Sequence, residues 1–179
     1  MESSVRTLRY MELHSEVIVY ASAPTAWLVL GERFGQIGDW AAPIVTSTLE
    51  GELGVGAVRT CRFDRFGPFA PGLVKERLLA FDPTAMSLVY ESVAGMPSFV
   101  ESAVNRWSVQ PYTATTCRVR THATLQLRGP VRLLGPLLQR MLEAGAARVL
   151  EELRHQVEHG RPHPRKRSAA YSHAASREA

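Results

Sequence analysis

The sequence predicts an α+β domain in which an antiparallel sheet of about seven strands covers one long C-terminal helix. Three observations carry this. Six segments from Ile44 onward alternate apolar and polar residues with a period of two. Short turns rich in Gly, Pro and Asp separate them, so neighbouring strands pair antiparallel. From Pro136 to Val157, Leu137, Leu138, Met141, Leu142, Gly145, Val149, Leu150, Leu153 and Val157 trace one helical face. A long amphipathic helix that follows strands must bury its stripe against them.

The 179 residues suit one domain with a real core and room for a pocket. No run approaches the ~18 apolar residues of a membrane-spanning helix. Glu2, Arg6 and Arg9 break any signal-peptide core, so a cytoplasmic chain with Cys61 and Cys117 as reduced thiols is expected. The segment 161–179 holds five basic residues and one acidic residue, a net +4 that equals the charge of the whole chain. Basicity is therefore a property of the tail, and the folded domain is not expected to bind nucleic acid.

In order, residues 1–9 are polar and expected to be flexible. Met11–Ala21 is rich in β-branched and aromatic residues and reads as the first strand. Ser22 can cap a helix with Pro24 in its first turn, carrying Trp27, Leu28, Leu30 and Phe34. Gly35 and Gly38 limit that helix, and Ile37 and Trp40 suit a second short one. Strands are then expected at 44–50, 55–63, 73–81, 86–92, 99–110 and 116–127. Turns fall at Gly51…Gly54, Gly67-Pro68 to Gly72, Asp82-Pro83, Gly95-Met96-Pro97 and Pro111-Tyr112-Thr113. Pro136 opens the main helix and Gly160 with Pro162 ends it. The rest, 161–179, has the composition of a disordered tail.

Ala23-Pro24…Trp27, Trp40…Pro43, Gly51…Gly54-Val55-Gly56…Arg59, Val74-Lys75-Glu76-Arg77-Leu78…Asp82, Leu88…Tyr90 and Leu150…Leu153…Glu158…Gly160 appear in this order. The pattern resembles the START-like superfamily, also called SRPBCC, and within it the polyketide cyclase/dehydrase and lipid-transport branch. The resemblance covers about residues 12–160. It implies a helix-grip fold, in which the sheet wraps the C-terminal helix around a hydrophobic cavity that two short helices help to close. It also implies a small hydrophobic ligand and no cofactor. The superfamily mixes enzymes, carriers and receptors, so a reaction does not follow from it.

Alternation assigns side chains to the cavity wall. One face of each strand collects Val55, Ala57, Arg59, Cys61 and Phe63; Val74, Glu76, Leu78 and Ala80; Met86, Leu88, Tyr90 and Ser92. It continues with Phe99, Glu101, Ala103, Asn105, Trp107 and Val109, then Cys117, Val119, Thr121, Ala123, Leu125 and Leu127. The wall is apolar except for Arg59, Glu76, Tyr90, Ser92, Glu101, Asn105 and Thr121. An unpaired buried charge costs several kcal/mol, so Arg59 and Glu76, on neighbouring strands, either pair or reach a ligand. START-like relatives carry charged groups at matching pocket positions. Arg59, Glu76 and Tyr90 are the candidate catalytic residues: a cation for a developing enolate and two groups that exchange protons. Candidate ligand contacts are Trp40, Cys61, Leu78, Ser92, Glu101, Asn105, Trp107, Thr121, Leu138, Met141, Leu142 and Gly145. A ligand-sized cavity would measure about 300–1,000 Å³, and a filled interior would contradict this reading.

Other patterns carry no chemistry. Gly51…Gly54…Gly56 joins two strands and does not open a helix, so it reads as a hairpin and not a phosphate cradle. His155 and His159 stand four apart without HExxH, so no metal is expected there. The expected function is binding of a polyketide-like, aromatic or lipid molecule with cyclase, aromatase or dehydratase-type chemistry. The alternative is a non-catalytic carrier or sensor of lipid, quinone or isoprenoid. The cluster Arg165-Lys166-Arg167 makes the tail a candidate for weak contact with anionic membranes.

Overall fold

The strands are β1 (Tyr10–Val19), β2 (Ile44–Glu50), β3 (Val58–Phe63), β4 (Gly72–Asp82), β5 (Ser87–Ala94), β6 (Val100–Pro111) and β7 (Cys117–Leu127). They form one antiparallel sheet in the order β1-β7-β6-β5-β4-β3-β2, a meander whose last strand returns beside its first. The computed structural model describes residues 10–64 and 72–175. Residues 1–9, the expected turn at Gly67-Pro68 and the end of the tail lie outside these.

Each expected strand exists, with edges moved by identifiable backbone features. β3 begins at Val58 and not at Val55, because Gly56 sits at φ 91° and Val55 is 71 % exposed in the hairpin loop. Met86 takes φ 47°, which places it in a turn and starts β5 at Ser87. Register shifts at Ile44/Thr46, Lys75/Glu76, Leu78/Ala80 and Val100/Ser102 interrupt the period of two, and the last two move predicted wall residues. Between Leu78 and Ala80 the register slips, so Phe81 pairs with buried Leu88 and points inward where alternation predicts Ala80. Between Val100 and Ser102 it slips again, so Val100 faces inward opposite Leu127. Glu101 is exposed, and its expected place on the inner wall is corrected.

Ser22 caps α1 (Ala23–Trp27) by accepting from the Thr25 N–H, with Pro24 in the first turn. The chain continues through a π-helical turn at Leu28–Glu32 and a 3₁₀ helix at Phe34–Asp39. Gly38 lies inside that 3₁₀ helix and does not end it: a Cβ there would stand 2.8 Å from the Ser47 amide nitrogen. Ser47 Oγ accepts from the Gly38 N–H and donates to the Gly35 carbonyl, which ties the short helices to β2.

A 3₁₀ turn at Pro130–Leu134 leads into α2 (Gly135–His159), which ends as expected at Gly160 in the left-handed conformation, φ 65°. Two apolar clusters hold α2 to the sheet. The larger joins the short helices to Val19, Cys61, Leu78, Leu88, Trp107, Val119, Leu150 and Leu153, with Val17 and Val149 against it. The smaller joins Leu138 to Met11, Leu13, Val100, Leu125 and Leu127, with Leu142 against it. The clusters are separate. Along β1, Ser15 falls between Leu13 of one and Val17 of the other; along α2, Gly145 falls between Leu142 and Val149.

Composition predicts disorder after Gly160, but Pro164–Ala175 forms a helix, α3. Its docking explains this. Arg165 Nη2 donates to Glu151 at 2.7 Å and Nε to Glu152 at 3.0 Å, and Lys166 Nζ donates to the Ile44 carbonyl. Glu152, which periodicity places on the polar side of the helix, is 1 % exposed. Its second oxygen accepts from the Ala42 N–H at 2.8 Å. Removing Arg165 leaves that carboxylate with one partner. Arg165→Ala is expected to cost about 1–2 kcal/mol, less than a fully buried pair because Arg165 is partly exposed; urea unfolding checks it. Arg165's hydrogen bond and charge hold the Glu151 pKa below 4.5. That contribution is present above this pH and fades as pH falls below it.

Candidate functional site

The meander brings the three predicted catalytic residues together. Arg59 on β3 faces Glu76 on β4, Glu76 faces Ser92 on β5, and Tyr90 faces Leu78 on one side and Asn105 on the other. Arg59 is 2 % exposed and is held at three points. Nε and Nη2 donate to Glu76 Oε2 at 2.9 and 2.6 Å, and Nη1 donates to the Phe34 carbonyl at 2.8 Å. Its guanidinium lies 3.8 Å from the centre of the Phe34 ring and 5.1 Å from that of Tyr90. The two alternatives for Arg59 thus resolve toward pairing. Glu76 Oε2 carries these bonds and a contact from Cys61 Sγ at 3.6 Å, while Oε1 accepts none among the described residues.

The electrostatics follow from burial and this pairing. Desolvation alone would lower the Arg59 pKa; the charges of Glu76, Cys61 and Tyr90 and the Glu76 hydrogen bond outweigh it and raise it. Burial, with Glu76 adding and Arg59 opposing, pushes the Cys61 thiol up to about 12, so it is no nucleophile at neutral pH. Burial first, then the Glu76 charge, holds the Tyr90 phenol above its ordinary range. Tyr90 is a neutral donor.

Arg59, Tyr90, Trp40 and Trp107 line one cleft with Phe34, Leu88 and the π-helical turn, and Arg33 also lines it. Glu76 stands behind Arg59 and does not line it. Trp40 is 4 % exposed, and its indole Nε1 is buried without a hydrogen-bond partner among the described residues. The cleft measures about 260 Å³ when its open mouth is included, but only about 10 Å³ admits the centre of a water molecule. It therefore falls short of the expected 300–1,000 Å³. It has room for about one water.

The other predicted contacts divide into three groups. Cys61 and Leu78 are fully packed in the larger cluster, and Leu138 is buried in the smaller with Leu142 against it. Ser92, Asn105 and Thr121 are polar positions on the inner face, Thr121 across from Trp107 and Asn105 across from Tyr90 of the larger cluster; with Ser15 opposite Thr121, and Glu76 opposite Ser92, they draw a polar seam across the sheet. Thr121 Oγ1 and Asn105 Oδ1 meet at 3.4 Å. On α2, Met141 is 40 % exposed and Gly145 is exposed, with no atom within 4 Å of where a Cβ would stand, so neither touches the sheet's polar groups or faces an enclosed space as expected. Ser15 is a seam residue that alternation along Met11–Val19 could have found. Arg33 is another missed residue, because nothing in sequence marks the turn that brings it to the cleft.

A curved antiparallel sheet gripping a C-terminal helix, with short helices over one end, is the helix-grip architecture of START-like proteins. The chain belongs to the polyketide cyclase / dehydrase and lipid transport family, whose model matches residues 11–158. Among solved structures it is similar to the Zhui aromatase/cyclase from Streptomyces sp. R1128, with TM-score 0.72, 16 % identity, and coverage of 83 % of this chain and 94 % of that one. A START superfamily protein from Mycobacterium smegmatis gives TM-score 0.68 at 14 % identity, covering 82 % and 97 %. Norcoclaurine synthase from Thalictrum flavum gives 0.64 at 18 %, covering 84 % and 94 %. These identities establish a shared fold alone. No curated protein matches the sequence significantly.

Proposed function

We propose that this protein binds a small polyketide-like or aromatic molecule along the polar seam and promotes cofactor-independent cyclisation, aromatisation or dehydration of it. The observation that carries the reading is the gap between the two apolar clusters. Ser15 on β1 and Gly145 on α2 both fall at this break, beside buried Thr121 and half-buried Asn105, and Gly145 is exposed, with no atom within 4 Å of where a Cβ would stand. A helix gives up roughly 1 kcal/mol to carry Gly instead of Ala, and space for a ligand is a physical reason to do so. At the seam's end, Tyr90 O–H, the unpartnered Trp40 N–H and the remaining Arg59 N–H groups are donors suited to a carbonyl or enolate oxygen. Glu76, paired behind Arg59, holds that cation in place, and Tyr90 is the group at the cleft that delivers a proton. Folding a flexible chain so that its reacting carbons meet supplies much of the rate.

A second reading has its own support. The Arg59–Glu76 pair is closed on itself, which favours a carrier of lipid, quinone or isoprenoid that needs only shape and one polar anchor. Native mass spectrometry of protein from its own host, then incubation with a linear poly-β-ketone, separates the two. Conversion of the ketone to a cyclised, dehydrated product supports the enzyme. Retention of an unaltered lipid with no conversion supports the carrier and removes the first reading.

A further inference from the structure

On the convex face, opposite the seam, Glu12 and His14 of edge strand β1 meet His122 of β7. The register sets His14 directly across from His122, and their rings stack with centroids 4.1 Å apart and 15° between planes. Glu12 Oε2 lies 3.6 Å from His14 Nε2 and 3.9 Å from His122 Nε2. Among the described residues this is the group of three His, Cys, Asp or Glu whose ligand atoms converge, all within 4.8 Å of one another. We propose that Glu12, His14 and His122 form a surface site for a borderline divalent metal ion, Zn²⁺ before others.

Four features support it. Two imidazoles and a carboxylate are a donor set that Zn²⁺ accepts, with a fourth position left for water. Ligand atoms around tetrahedral Zn²⁺ stand about 3.3 Å apart; Glu12 already lies 3.6 and 3.9 Å from the two imidazoles, and the widest pair of donors, within 4.8 Å, closes by up to about 1.5 Å as the stacked rings splay. His122 Nε2 is covered and has no hydrogen-bond partner among the described residues, although its side chain is 37 % exposed. Glu12 is also uncommitted. Glu16, four residues on, is taken by Arg118 and Arg120, whereas Glu12 has only the two imidazoles. Arg106, across from His122 on β6, is the nearby cation that opposes the ion. A bound ion would pin the edge strand to β7.

Isothermal titration of the full chain with Zn²⁺ in a non-coordinating buffer tests this. One ion per chain is expected, with affinity falling at least tenfold in His14→Gln and in His122→Gln. Glu12→Gln is expected to weaken binding and His155→Gln to leave it unchanged. All four residues have exposed or half-exposed rings or carboxylates, and circular dichroism confirms that each variant folds. No binding, binding that survives His14→Gln and His122→Gln, or binding lost only in His155→Gln would overturn the site.

Discussion

Glu76→Gln is expected to lower folding stability by about 3–5 kcal/mol, because it leaves the Arg59 charge buried at 2 % exposure without its counter-ion. Neutralising Arg59 is no escape, since its guanidinium titrates above the ordinary range only while Glu76 holds it, and even an unpaired guanidinium stays charged at working pH. The Phe34 carbonyl still accepts from Nη1, but a carbonyl dipole does not balance a cation. The double replacement Arg59→Met with Glu76→Leu is expected to recover most of the loss, because an apolar pair of similar volume avoids both desolvation costs. Urea unfolding of the two variants against the parent reads this directly. Losses that simply add in the double variant would show that the residues do not act as a pair.

Tyr90→Phe is expected to cut turnover of a poly-β-ketone by about 10²-fold while changing ligand affinity by only a few-fold. The ring is retained, so the packing of Tyr90 against Phe34, centroids 5.7 Å apart, persists, and the hydroxyl alone is lost, with its hydrogen bond to Trp107. The phenol is held neutral by burial and by the Glu76 charge, so it donates across the whole working pH range and no pH limb should arise from it. Single-turnover kinetics paired with equilibrium binding separate the two effects. An equal loss in both would make Tyr90 a packing residue.

The strand alternation that made the inner wall legible works where the ladders are regular. Arg59, Cys61, Glu76, Leu78, Tyr90, Trp107 and Thr121 all lie inside as expected. It failed at Ala80 and Glu101 because a bulge adds one residue to one strand, and nothing in a single sequence marks where that happens. The α3 helix was illegible for a different reason. Its order comes from Arg165 reaching Glu151 and buried Glu152, and Glu152 reads as solvent-facing until the Ala42 amide is seen against it. The Glu12, His14, His122 group depends on the register between the first and last strands, which closes only in the folded sheet. The gap at the seam is the least legible feature. Alternation says which way side chains point, but the distance between two clusters is set by where α2 lies.

The occupancy of that gap is tested most directly by titrating a planar anthraquinone into ¹⁵N-labelled protein and into Gly145→Phe. No atom lies within 4 Å of the Gly145 Cβ position, so the new ring enters open space and the helix loses its glycine penalty; folding stability should hold or rise. The proposal predicts amide shifts centred on Ser15, Asn105, Thr121 and Gly145 in the parent, and affinity at least tenfold weaker in Gly145→Phe. Unchanged affinity in the variant, or shifts that avoid the seam, would contradict it.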